Sequence, residues 1–286
     1  MLPVSHIIRP PARMHKLLFS LLVLLLLAAP VTAQTTRQLR KVMELKMPRG
    51  GGDNGGTVAL NLKNRNYYAT VAGNKTYSMA FFNGAGEMVS PPDLAVLQDI
   101  RGLWYSPAAK TFHANSYGTN GWYSYTLDDA GIPYDIKPLF PGQLQPFPNS
   151  TGAYNLRANT VYFLKGSAVV GYDAATGAEQ PQPIVVLKAG YGRKTPPPAG
   201  WSVDTFQVLN GYNSTTLVFT GVANSEFGLL NVKTREVELY SGADGLMSQR
   251  LTLPPDAPVR DKLNFAYCNN TYWLYHSTSR TWIGYR

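Results

Sequence analysis

Four aspartates carry the most suggestive chemistry in the chain. Asp53, Asp99, Asp204 and Asp261 each sit at or just before the start of a strand-like apolar segment, in GGDNGG, LQDIRG, SVDTFQ and VRDKLN. Carboxylates gathered from such junctions could hold a cation or hydrogen-bond a polyol. They could also flank a glycosidic bond as acid and base, which needs two carboxyl groups about 5 to 10 Å apart. The competing reading is that Arg101, Arg260 and Lys262, close neighbours of Asp99 and Asp261, use the carboxylates up in ion pairs or that the aspartates cap turns. Trp201, just after the Pro196 to Pro198 run, adds a ring suited to stacking on a sugar.

Other candidates reduce to structure. Asp128-Asp129 resembles a catalytic pair, yet it lies in LDDAG, where an Asp side chain accepts from the backbone two residues on. His113 and His276 have no nucleophile and orienting acid, and no further ligands, at a spacing that would make a triad or a metal site. RGGGDNGG (Arg49 to Gly56) lacks the Lys-Ser/Thr of a phosphate loop and reads as a flexible connection. Tyr191 to Gly200 (YGRKTPPPAG) reads as an inserted loop. Cys268 is the one cysteine, which excludes an intramolecular disulfide and a multi-cysteine zinc site. No catalytic set, no metal site and no cofactor motif follows.

The elements that would position the aspartates come from an internal repeat. MAFFNGAGEMV, YSYTLDDAGIPY, VVGYDAATGAEQ and FGLLNVKTREVE each run from apolar residues through Asn83, Asp128, Asp173 or Asn231 into a turn, at spacings of 45, 45 and 58. Upstream lies a second strand, present five times: NYYATVAGN, KTFHANSYG, NTVYFLKGS, STTLVFTGV and NTYWLYHST. A period of about 45 residues with four short strands is that of a propeller blade. The fifth copy stops at Tyr285-Arg286, where its fourth strand should begin, and Arg40 to Pro48 (RKVMELKMP) is a lone strand-like segment able to supply it. An unpaired strand edge would otherwise be left open.

The expectation is therefore an all-β fold, a five-bladed β-propeller closed by an N-terminal strand. Its blades run over 56–98, 99–147, 148–200, 201–255, and 256–286 with 40–48. The innermost strands are expected at Val58 to Leu62, Leu103 to Tyr105, Tyr154 to Leu156, Val203 to Leu209 and Leu263 to Tyr267. A two-sheet sandwich would explain the alternation but not the repeat. In a propeller the four aspartates share one face, around the mouth of the central channel, and most of the rings of GLWYSPAAKTFHANSYGTNGWYSYTLDDAG belong between blades.

KTFHANSYGTNGWYSYTLDDAG and NTVYFLKGSAVVGYDAATGA resemble repeats of the YVTN/NHL-type bacterial propeller superfamily, a likeness that extends over all five repeats. The chain departs from the Val-Ile-Asp ending of that pattern, with Phe82-Asn83, Leu127-Asp128, Tyr172-Asp173 and Leu230-Asn231 in its place. The resemblance implies a binding scaffold and no catalytic residues.

Leu17 to Ala29 is a 13-residue apolar run preceded by Arg9, Arg13 and Lys16 and followed by Val31-Thr32-Ala33. That is the pattern of a secretory signal peptide, with cleavage expected after Ala33 and Met14 as a second candidate start. The run is short of the about 20 residues that a spanning helix needs. Removing the leader takes three of the 26 basic residues and leaves 23 against 17 acidic ones. The remaining bases are scattered without a stripe, which fits weak attraction to anionic surfaces and argues against nucleic acid. Asn74, Asn149, Asn213 and Asn269 open N-x-[ST] sequons, relevant only in a eukaryotic route. The sequence thus points to a secreted or periplasmic, non-enzymatic propeller that binds a glycan, peptide or surface partner through Asp53, Asp99, Arg101, Asp204, Asp261 and Trp201. The alternative is a glycoside-directed hydrolase using carboxylates at the channel mouth.

Overall fold

Short runs rich in Val, Tyr, Phe, Trp and Thr alternate with turns, and such runs favour a pleated, packed surface. A computed structural model describes residues 35–48, 50–200 and 209–286. The leader, Trp201 and Asp204 lie outside those residues. The strands are β1 (Thr35–Gln38) and β2 (Lys41–Lys46), then β3 (Asn54–Leu60), β4 (Tyr67–Ala72) and β5 (Met79–Phe82). Blade two holds β6 (Ile100–Ser106), β7 (Thr111–Ser116), β8 (Trp122–Leu127) and β9 (Pro133–Phe140). Blade three holds β10 (Ala153–Asn155), β11 (Thr160–Lys165), β12 (Ala168–Asp173) and β13 (Val185–Val186). Blade four holds β14 (Val218–Phe219), β15 (Phe227–Asn231), β16 (Glu236–Tyr240) and β17 (Met247–Thr252). Blade five holds β18 (Phe265–Cys268), β19 (Thr271–His276) and β20 (Thr281–Tyr285).

These make five sheets. The first strand of each (β3, β6, β10, β14, β18) contacts its counterparts in the two adjoining blades, so the ring is closed. The fold is a five-bladed β-propeller. Closure is made as the sequence implies: β2 pairs antiparallel with β20, Leu45 opposite Trp282, and becomes the outer strand of blade five. The strand β1 has no such signal. TTRQ lacks apolar alternation, yet it runs parallel to β17, Thr35 opposite Gln249 and Gln38 opposite Thr252. Between β1 and β2, Leu39 is fully buried among residues of blades four and five.

Two sequence expectations are corrected. The inner strand of blade four is Val218–Phe219, so STTLVFTGV contains the first strand and FGLLN is the second, while the inner strand expected at Val203 to Leu209 lies, all but its last residue, outside the described residues. Asn231 accordingly ends a second strand, whereas Asn83, Asp128 and Asp173 lie at the ends of third strands. An Asx turn, here Asn231 Oδ1 accepting from Thr234 N at 3.0 Å, serves any antiparallel connection and does not identify its place in the sheet. The Gly-rich segment is also more than a connection, because Asn54 to Gly56 belong to β3. A Cβ on Gly56 would stand 2.9 Å from the Ile100 carbonyl oxygen of blade two. A Cβ on Gly55 would stand 2.6 Å from that of Tyr275 in blade five. The glycines let the inner strand approach both neighbours.

The core is divided among the blade junctions. One cluster joins blades five and one (Trp273, Trp282, Leu45 with Tyr67, Phe82). A second joins one and two (Tyr68, Phe81 with Phe112, Tyr125), and the other three junctions have their own. Alternation sends Trp104 and Trp122 toward blade three and Tyr105, Phe112 and Tyr125 toward blade one, which is where the aromatic residues of the second repeat are spent.

Candidate functional site at the channel mouth

At the face where the inner strands begin, hydrogen bonds stitch every junction. Gly73 N donates to Asp99 Oδ1 (2.7 Å), Gly152 N to Asn115 Oδ1 (3.1 Å), and Thr151 N to Thr215 O (3.0 Å). Leu263 N donates to Thr215 Oγ1 (2.7 Å) and Gly55 N to Asn264 Oδ1 (2.6 Å). Above this collar opens a cavity of about 460 Å³.

Asp53, Arg101 and Asp261 all line it, with Arg260, Lys262 and Asn264 beside them. Asp53 and Asp261 are exposed, and neither is in an ion pair among the described residues. Asp99 is placed differently. It is buried, and both its oxygens accept from the Arg101 guanidinium, Nη2 to Oδ2 at 3.1 Å, while Oδ1 also takes the Gly73 N–H. Arg101 further donates from Nε to Asn149 Oδ1 at 3.0 Å and lies 4.7 Å from the Tyr117 ring centroid. Asp99 therefore serves as a staple that fixes Arg101, and the carboxylates left open to solvent in the cavity are Asp53 and Asp261. Of the residues singled out in the sequence, Asp204 and Trp201 fall outside the described residues.

No family model and no curated protein sequence matches the chain. Solved structures do. The glutaminyl cyclase of Myxococcus xanthus aligns with TM-score 0.53 at 10% identity, over 88% of this chain and 97% of that one. The PQQ-bound aldose sugar dehydrogenase of Streptomyces coelicolor aligns with TM-score 0.52 at 11% identity, over 90% and 99%. At such identities the likeness speaks for the fold alone.

Below the collar, the bore of the ring holds a second cavity of about 390 Å³ that the sequence did not single out. The residues near the ends of the five inner strands, Leu60, Tyr105, Tyr154, Phe219 and Tyr267, all line it. The signal is an apolar or aromatic residue near the end of each first strand, which is hard to tell from core packing without knowing which strand is innermost.

Several other polar side chains hold turns and blade junctions together. His276 Nδ1 accepts from Ser279 N at 3.1 Å and so caps a turn. Asp128 accepts from Ile132 N at 2.7 Å, as its turn demands. Asn213 is buried and donates to the Leu263 carbonyl at 2.7 Å, so its sequon is closed to modification in the folded ring. Glu238, 1% exposed, accepts from Tyr240 Oη, from Tyr212 Oη at 2.9 Å and from Asn231 Nδ2 at 3.0 Å. Burial, then the Glu238 charge, raises the Tyr240 phenol well above its ordinary value. Among the described residues no group of three His, Cys, Asp or Glu could hold a metal ion, and no helix is long and apolar enough to cross a membrane.

His113, with the Trp104 ring edge-on at 6.4 Å, is held by burial below its usual 6.5. The unfolded chain then binds a proton below that pH which the folded chain excludes, so stability must fall as pH drops through 6.5. His113→Gln is expected to flatten the dependence of unfolding free energy between about pH 7 and 5, read from urea melts.

Proposed function

We propose that the protein is a secreted or periplasmic, YVTN/NHL-like binding propeller, its leader removed after Ala33, whose channel mouth takes a polyhydroxylated ligand such as a glycan. The observation that carries this is the pairing of open acceptors, Asp53 and Asp261, with cationic donors, Arg260 and Lys262, around one cavity of about 460 Å³. Sugar hydroxyls donate and accept at once, so a mixed rim of this kind suits them better than a rim of one sign. Arg101, fixed by Asp99, would present a positioned donor rather than a mobile one.

The expected outcome is a hit on a glycan array, confirmed by calorimetry. Asp53→Asn with Asp261→Asn should weaken it at least about tenfold, the order of a charged hydrogen bond, with the melting temperature unchanged because both side chains are exposed. Full affinity in that variant would remove the mouth from the reading. The hydrolase alternative rests on the same two carboxylates lining one cavity. Release of nitrophenol from nitrophenyl glycosides, abolished by the double variant, would make it the better one.

A further inference from the structure

The bore cavity on the other side of the collar carries fewer charges than the mouth and more apolar and aromatic side chains, with Thr57, Thr151 and Thr216 among them. Its walls are the ends of the inner strands, and half-exposed Leu62 and Leu156 lie at 48% and 50% exposure where those strands run out. No acidic residue lines it, and Arg65 is its single charged lining residue among those described. Its volume, about 390 Å³, falls in the lower part of the range for small-molecule sites, about 300 to 1,000 Å³.

Two further features mark it as more than a void. Trp104, 4% exposed, lines the cavity, stacks on Tyr154 at 6.1 Å and 28°, and keeps a buried indole N–H that has no acceptor among the described residues. Arg65 has no carboxylate within ion-pair distance among the described residues; its side chain reaches Asn269 Oδ1 at 3.5 Å. It sits in a turn held by Arg65 N to Asn61 O (2.8 Å), Lys63 N to Asn61 Oδ1 (2.9 Å) and Asn66 N to Asn64 Oδ1 (3.1 Å). The backbone that carries the cation is thus fixed at the end of an aromatic-walled bore.

We propose that this cavity is a binding site for a small carboxylic acid bearing an aromatic or branched aliphatic group. The apolar body lies against Trp104, Tyr154 and Phe219, and the carboxylate meets Arg65. The ring of the ligand replaces water on apolar walls. The anion supplies the partner that Arg65 lacks, and an uncharged analogue would forgo that contact. The same chemistry is offered by a free acid and by the C-terminus of a peptide ending in Phe or Leu.

The test titrates the purified protein with 3-phenylpropionate, 3-phenylpropanamide and the tripeptide Gly-Gly-Phe, read by calorimetry and by tryptophan fluorescence. The acid should bind at least about tenfold tighter than the amide. Arg65→Gln, a change at an exposed side chain, should reduce the acid to the level of the amide while leaving the amide unaffected. Trp104→Phe should weaken both. Binding of Gly-Gly-Phe in preference to 3-phenylpropionate, lost in Arg65→Gln, would assign the site to peptide termini; the reverse order would assign it to free acids. Equal affinity for acid and amide, no binding of any of the three, or binding untouched by Arg65→Gln would each overturn the proposal. Because Arg65 is remote in the fold from Asp53 and Asp261, failure here leaves the reading of the mouth standing, and failure there leaves this one.

Discussion

A chain that begins after Pro48 will not fold into a stable closed ring. Deleting residues 34–48 takes away β1 and β2, and with them Leu39, Leu45 and Met47, which are 0%, 0% and 4% exposed. Truncating one buried Leu or Met to Ala costs about 2–5 kcal/mol, so three removed outright, about 6–15 kcal/mol together, are comparable with the about 5–15 kcal/mol total stability of an ordinary domain. The backbone cost adds to this. β20 loses its partner from Lys41 opposite Tyr285 to Lys46 opposite Thr281, and blade five is left with an open edge. Arg286 also loses its reciprocal backbone pair with Arg40, at 2.8 and 2.9 Å. The shortened chain should be recovered mainly as aggregate, with no cooperative thermal transition by circular dichroism. A synthetic peptide of residues 34–48 added during refolding should restore the transition, because it supplies the outer strand of blade five and the buried Leu39, Leu45 and Met47. Leu45→Asp in the full-length chain should reproduce the loss without changing chain length. A sharp melt from the truncated protein alone would show that the ring closes without its N-terminal strand.

That the closing strand can be read in advance, while β1 cannot, follows from what each buries. RKVMELKMP carries Leu45 and Met47 to a blade junction and so shows an apolar pattern; TTRQ is held by backbone pairing to β17, which leaves no trace in side-chain type. The same division runs through the rest. Blade count is legible because each junction demands its own set of large apolar residues, and the spacing of those residues repeats. Blade four slips because Asn231 and its turn satisfy the repeat pattern one strand early. In the sequence, the four aspartates are visible as a set. The difference between Asp99, bound on both oxygens, and Asp53 and Asp261, open to the cavity, depends on which loops the ring brings face to face. Gly55 and Gly56 mislead for a similar reason. A glycine chosen for a turn and one chosen for close packing are the same letter, and it is the neighbouring blades, Ile100 on one side and Tyr275 on the other, that decide.

Removing the Arg101 side chain is expected to cost more stability than any other single change at the mouth. In Arg101→Met, Asp99 keeps its burial and the Gly73 N–H but loses the cation that balances both oxygens. An uncompensated buried charge of this kind costs about 3–5 kcal/mol. The Nε–H bond to Asn149 and the contact with the Tyr117 ring go with it. Asp99→Asn with Arg101→Met should recover much of the loss, because the carboxylate charge is then gone and the carboxamide oxygen introduced in its place can still accept from Gly73 N, which keeps blade one tied to blade two. The contrast between single and double variants is the informative quantity, measured as unfolding free energies in urea with the slope checked for constancy. If the double variant is no more stable than Arg101→Met, the pair is not acting as a buried ion pair, and Arg101 stabilises the mouth through Asn149 and Tyr117 alone. If the recovery is seen, glycan affinity in the same double variant separates scaffold from site. A fold restored with binding still lost places the Arg101 guanidinium in contact with the ligand.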